Sequence, residues 1–334
     1  MIGKIVKTAA AAVLCTAMVS CGKTVQLAGS NEQKDPDNSS TDIRSLTDEI
    51  PIDEETEPVT EEPTDPPRPV APDKLSVDTD MPSGYELPES FVLDFETVMQ
   101  EPELPTGCEV TALTETLNYY GFGIDKVDLC DEYLPKDYEG YYYMDEAYVG
   151  DPHSYNGFGC YAPVIVNTAN DYFESIQSDW YAKDLTGCSL DDLCYQIEQG
   201  RPVIVWVTMD MRETYPNFKF TTGNGKDFMF NDYQHCVAIY GFDFGARTIH
   251  TADPLVGNIE YDMDQFDKIF QIQGNQAVIL LGNEESAGTV YATDEEIQAW
   301  FEEKHPSENE EESSSDEDEG YDVEDYYDEV FYEG

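Results

Sequence analysis

The stretch Gln234–Pro254, QHCVAIYGFDFGARTIHTADP, holds two apolar runs, Cys236 to Phe242 and Arg247 to Ala252. The turn Asp243-Phe244-Gly245-Ala246 separates them. Two short β-prone runs around a Gly-containing turn predict an antiparallel hairpin. If the turn centres near Phe244, His235 and Asp253 face each other across it, with Cβ atoms about 5 Å apart. A carboxylate at that distance fixes the tautomer of an imidazole and stabilises its protonated form. Cys236, next in sequence, points to the opposite face of its strand and reads as core.

Upstream of the hairpin, helical spacing dominates. Val110, Leu113 and Leu117 recur after Cys108 at helical intervals, and the segment ends at Tyr120-Gly121. A second helix carries Pro163 in its first turn and runs to about Ile176. A third opens on Ser189 as N-cap with Asp191 and Asp192 behind it, buries Leu190, Leu193 and Ile197, and stops at Gly200. The run Pro202–Val207 is continuously apolar and β-branched, which predicts a central strand. After the hairpin, Met263, Phe266, Ile269 and Phe270 mark another helix and Ala277–Leu281 another strand. Helices followed by an antiparallel sheet give an α+β fold.

The 334 residues carry 17 Lys and Arg against 71 Asp and Glu, a net charge of −54. So negative a field repels nucleic acid, and no basic stripe exists to neutralise phosphates. Lys4 and Lys7 precede an apolar run, Thr8–Val19, which is too short to span a bilayer. That run ends in Val19-Ser20-Cys21-Gly22, so residues 1–21 read as a secretory signal with a lipobox. Cys21 is the expected lipidation site, which anchors the chain to the outer face of a bacterial cytoplasmic membrane. Residues 22–90, proline-rich and acidic, read as a disordered linker. Residues 91–283 form the expected folded domain. Residues 284–334 form an acidic, Tyr-containing tail that is mostly disordered, with one short helix capped by Thr293 at its start.

Within the domain, Cys108 follows Leu104-Pro105-Thr106-Gly107 directly into the first helix. Unpaired backbone N–H groups and the helix dipole at that position favour a thiolate. Of the other histidines, His250 should point away from Asp253, and His153 reads as a loop residue among tyrosines. The tyrosines at 141–143 read as packed or rim residues. No Cys-x-x-Cys or His-x-x-x-His pair exists, so neither a metal site nor a cofactor is expected. Five further thiols, Cys130, Cys160, Cys188, Cys194 and Cys236, are an odd number and rule out a complete disulfide framework among themselves.

The segments PELPTGCEVTALTETLNYYGF (102–122), SLDDLCYQIEQGRPVIVWVTM (189–209), QHCVAIYGFD (234–243) and TADPL (251–255) resemble the bacterial papain-like cysteine peptidases related to the double-glycine leader peptidases. The resemblance spans roughly Phe91 to Gly282. It implies a papain-like fold, with N-terminal helices packed on an antiparallel sheet. It also implies Cys108 as nucleophile, His235 as base, Asp253 as the residue orienting His235, and Gln100, eight residues before Cys108, as an oxyanion donor. The expected activity is hydrolysis of a peptide bond in a peptide or protein substrate by a monomer. With the same site, resolution of the acyl-enzyme by an amine would make the protein an acyl transferase. A third possibility is a non-catalytic surface-binding module on the inherited fold. The chain shows no nucleotide-binding loop and no Gly-Gly pair, so the leader-peptide export role of that family does not transfer directly.

Overall fold

The structure, a computed structural model, describes residues 70–231 and 233–306. In chain order the elements are β1 (Ser90–Val92), α1 (Cys108–Tyr119), α2 (Lys126–Tyr133), β2 (Lys136–Asp137), β3 (Tyr148–Val149), α3 (Ala162–Ser175), β4 (Tyr181–Asp184), α4 (Leu190–Glu198), β5 (Val203–Thr208), β6 (Phe218–Thr221), β7 (Asp227–Phe230), β8 (Gln234–Asp243), β9 (Thr248–Asp253), β10 (Gly257–Asp262), α5 (Met263–Ile272), β11 (Ala277–Leu281) and α6 (Asp294–Lys304). The main sheet has the order β10-β9-β8-β5-β11-β4, all antiparallel, with β1 paired to the turn end of β8. Cys21 and the signal sequence lie outside the described residues, as does the acidic tail beyond residue 306. Among the described residues no helix is long and apolar enough to cross a membrane.

The continuous apolar run at β5 is explained by its place in the sheet. Ile204 and Trp206 face one core, with α1, α2 and α3, while Val203, Val205 and Val207 face a second core with α4 and α5. Strand β11 divides its side chains between the same two cores, Val278 and Leu280 on one side and Ala277, Ile279 and Leu281 on the other. A strand covered on both faces has no use for alternation. Each large apolar side chain buried this way contributes roughly 1.5–3 kcal/mol.

Helix α1 is buried through its first ten residues. Its threonines tolerate this because Thr111, Thr114 and Thr116 each donate a hydroxyl proton to the carbonyl four residues back, at 2.7–2.8 Å. Helix α4 starts at a capping box between Ser189 and Asp192. Helix α6 does the same with Thr293 and Glu296, and its Trp300 and Phe301 lie against Tyr133 of α2.

The folded unit begins earlier than its composition suggests. Residues 75–89, assigned above to the disordered linker, lie against the domain: Thr79 is buried and its carbonyl accepts from Gln196 Nε2 at 2.7 Å. Val77 and Leu87 pack on the second core. Tyr85 also meets Tyr195 edge to face, while the acids of the segment remain exposed.

Candidate active site

Cys108 is the first residue of α1. Gly107 before it is required by close packing, since a Cβ there would lie 2.9 Å from Leu104 Cβ. The backbone N–H of Cys236 favours the Cys108 thiolate. Because that N–H belongs to the peptide joining His235 to Cys236, Cys108 sits beside β8 at the point where His235 is carried. Cys236 itself is fully buried in the same core as Cys108.

His235 Nε2 and Asp253 Oδ1 are 2.8 Å apart, and both side chains are almost fully buried, at 2% and 4% exposure. Asp253 also accepts from the Leu255 N–H at 2.9 Å and from the Tyr261 hydroxyl at 3.2 Å. Burial acts to raise the Asp253 pKa, but the hydrogen bond and charge of His235, helped by the other two donors, hold it below the usual carboxylate range. An ionised Asp253 places the imidazole proton on Nε2. The lone pair is then on Nδ1, which is buried and has no hydrogen-bond partner.

The two residues are not direct cross-strand partners, contrary to the hairpin expectation. Near the turn Asp243 pairs with Thr248 and Gly241 with His250, and past Tyr240 the register shifts so that Ile239 pairs with Thr251 and Ala238 with Ala252. Carried one residue further, Val237 stands opposite Asp253. His235 is two residues beyond it and therefore on the same face. Without the extra residue at Tyr240 the offset would be odd, and the two side chains would point to opposite faces.

Gln100 is buried in the extended strap that leads from β1 to α1. Its backbone N–H donates to Pro254 O at 2.9 Å, which ties the strap to the residue after Asp253. Its side-chain Nε2 donates to Pro105 O at 2.6 Å, in the loop entering α1. Lys126 Nζ holds the same loop through Gln100 O at 3.0 Å and the Glu103 carboxylate at 2.8 Å. Thus all four expected residues converge on one end of α1, although Cys108 and His235 are 127 positions apart in the chain.

Comparison with known proteins identifies the family. Residues 92–278 match the Peptidase C39 like family. The chain belongs to that family. The uncharacterized protein YvpB of Bacillus subtilis (strain 168) is 31% identical over 187 residues, covering 54% of this chain and 72% of YvpB. A crystal structure provisionally described as a C39-like peptidase from Bacillus anthracis superposes with a TM-score of 0.53 and 26% identity, over 59% of this chain and 99% of that one. The fold is accordingly papain-like α+β, with N-terminal helices on an antiparallel sheet.

In this C39-like domain one residue escaped the sequence reading. Glu109 is an acid in the first turn of a helix, and such residues usually face water and complement the dipole. Here it is buried. Its Oε2 accepts from the Cys108 thiol at 3.3 Å, and its Oε1 accepts from the Cys160 N–H at 3.0 Å. Burial raises its pKa. The expected thiolate at Cys108 is overridden in this resting form: burial, then the charge and hydrogen bond of Glu109, push the thiol pKa well up against the helix N-terminus and the Cys236 N–H. The six cysteines among the described residues are all free thiols. His250 lies 3.6 Å from Glu260, away from this C39-like site.

Proposed function

We propose that the domain is a cysteine hydrolase that cuts peptide bonds. The reading rests above all on the buried His235–Asp253 pair, whose ring presents a partnerless Nδ1 beside the strand position where Cys108 packs. In the first step Nδ1 takes the Cys108 proton and the thiolate attacks the carbonyl carbon of the substrate. Asp253 holds the resulting imidazolium. The oxyanion is met by the second amide proton of Gln100, the first being used on Pro105 O, and by backbone N–H groups at the start of α1. The imidazolium then protonates the leaving amine. A water molecule, deprotonated by Nδ1, releases the acid from the thioester. Because the resting thiol donates to Glu109, substrate entry has to displace that hydrogen bond before transfer to Nδ1.

We further infer that the domain works tethered by lipid at Cys21. The support is the basic head, the Thr8–Val19 apolar run and the Cys21-Gly22 junction. Metabolic labelling with a fatty-acid analogue should mark the wild type and not Cys21→Ala.

The catalytic reading is tested by hydrolysis of a quenched fluorogenic peptide library, with Cys108→Ala and His235→Ala as comparisons. Cleavage by the wild type that both substitutions abolish is the expected result. Equal turnover in all three proteins would overturn the reading.

A further inference from the structure

On the far side of the loop that precedes Cys108, one group of side chains is unused by the chemistry above. We propose that Cys130, Asp131 and His153 form a binding site for a single thiophilic divalent cation of the Zn2+ class. One ligand atom from each lies within 4.8 Å of the others, and theirs is the sole such mixed group among the described residues. A tetrahedral zinc with ligand bonds of roughly 2.0–2.3 Å needs its donors about 3.5 Å apart. His153 Nε2 and Asp131 Oδ1 are closer than that, at 2.8 Å, and no pair in the group exceeds 4.8 Å, so the donors shift to take the ion. Sequence spacing gave no hint of it, because Cys130 and Asp131 are neighbours on α2 while His153 comes from a loop 22 residues later.

The orientation of His153 is the decisive observation. Its Nδ1 lies 3.0 Å from Glu103 O. A carbonyl only accepts, so Nδ1 carries the hydrogen, as in most metal-bound histidines whose second nitrogen donates to a backbone carbonyl. In a neutral ring Nε2 is then a bare lone pair, yet it faces Asp131 Oδ1 at 2.8 Å. Two lone pairs at that distance require a positive charge between them. In the metal-free protein a proton on Nε2 supplies it, as in an ordinary His–Asp ion pair. A divalent cation takes the place of that proton once the two donors part from 2.8 Å to about 3.5 Å.

Cys130 completes the set from below. Its side chain is fully buried. Binding converts Cys130-SH and the imidazolium of His153 into metal-bound thiolate and neutral imidazole, releasing two protons to solvent. The thiolate and Asp131 together carry two negative charges, which match the cation. Water fills the fourth position, and the partly exposed His153 and Asp131 leave a way in. One charge opposes binding: Lys136 Nζ is 3.9 Å from Asp131 Oδ1. The bound ion would fasten α2 to the loop whose Asp151 and Ser154 carbonyls accept from Thr106 Oγ1, two residues before Cys108.

The test is Co2+ titration of the full chain carrying Cys108→Ser, which removes the nucleophile as a competing ligand. The expected result is a one-equivalent thiolate-to-cobalt charge-transfer band in the near ultraviolet, abolished by Zn2+. Adding Cys130→Ser should eliminate the band. His153→Ala, in an exposed loop where folding is not at stake, should weaken Co2+ binding by at least about tenfold. Lys136→Met should tighten it. Co2+ held only by the acidic segments gives no thiolate band, and that result overturns the proposal. So does a band that survives Cys130→Ser or is indifferent to His153→Ala.

Discussion

Glu109 Oε2 stands 3.3 Å from Cys108 Sγ, so the thiol expected to act as nucleophile donates its hydrogen bond to a neighbouring carboxylate and not to an imidazole. Both side chains are buried, and Glu109 is anchored from its other oxygen by the Cys160 N–H. An anionic acceptor beside a thiol disfavours the thiolate. The resting site is therefore restrained, and the restraint has a named cause.

Replacing that carboxylate by an amide should release it. In Glu109→Gln the repelling charge is gone and the side-chain amide can donate to sulfur. The rate of Cys108 alkylation by iodoacetamide should move to lower pH, rising about tenfold at neutral pH for each unit the thiol pKa falls. Peptide mapping of the alkylated residue separates Cys108 from the partly exposed Cys188. An unchanged profile would show that burial alone sets the thiol pKa.

Asp253→Ala should reduce turnover by roughly three to four orders of magnitude, as for other catalytic His–Asp pairs, and Asp253→Asn should cost far less. His235 Nε2 and the Leu255 N–H both donate to Oδ1, and the Tyr261 hydroxyl donates to Oδ2. An asparagine with its oxygen at the Oδ1 position still accepts from both donors, and its NH2 meets the Tyr261 oxygen. The ring proton then stays on Nε2 and the lone pair on Nδ1, and only the counter-charge to the imidazolium is lost. In Asp253→Ala nothing holds that tautomer. kcat on a fluorogenic peptide, with near-ultraviolet circular dichroism as the fold check, measures this. A decrease of less than tenfold in Asp253→Ala would sink the assigned tautomer.

How much of this was legible in the sequence depended on whether a feature is local. The caps at Ser189 and Thr293 are, because a hydroxyl and a carboxylate three residues on carry the whole signal. The double-sided burial of β5 was legible from its unbroken apolar run. The pairing of His235 with Asp253 was found through the wrong register and survived only because the true offset differs by an even number of residues. The bulge at Tyr240 leaves no mark in the sequence. Strand β10 was missed because Gly257–Asp262 is an edge strand with alternating partial exposure, and its two useful residues, Ile259 and Tyr261, are few. Glu109 was unreadable for a different reason: an acid in the first turn of a helix is ordinary until the tertiary fold closes over it.

That closure is made by the loop carrying Gly159, whose φ of +114° suits glycine and little else. A Cβ at Gly159 would lie 2.4 Å from Glu109 Oε1. Gly159→Ala should therefore destabilise the domain by about 1–3 kcal/mol through backbone strain, and should also push the carboxylate off Cys108. The second effect is isolated in a Glu109→Ala background, where the space is free. A urea midpoint cycle over the four proteins should show part of the loss recovered when both substitutions are present. Strict additivity would mean that the cost is all in the backbone.

Glu115 gives a pH-dependent prediction of known sign. It is buried in α1, accepts from the Val98 N–H at 3.0 Å, and burial raises its pKa well above the usual range. A carboxyl group whose folded pKa exceeds its unfolded value, about 4.3, favours folding while protonated. That contribution is complete below the unfolded pKa and is lost as pH rises towards the folded one, at a slope of about 1.4 kcal/mol per pH unit. Glu115→Gln keeps an acceptor for Val98 and cannot ionise. Its stability relative to wild type should be lowest in acid and should climb with pH above about 4.3, so that the variant is the more stable protein at neutrality. Urea denaturation of both proteins at a series of pH values reads the difference, and Glu109, present in both, cancels. A difference independent of pH would mean that Glu115 ionises in the folded protein as easily as in water, and that its burial is relieved by a donor stronger than the Val98 amide.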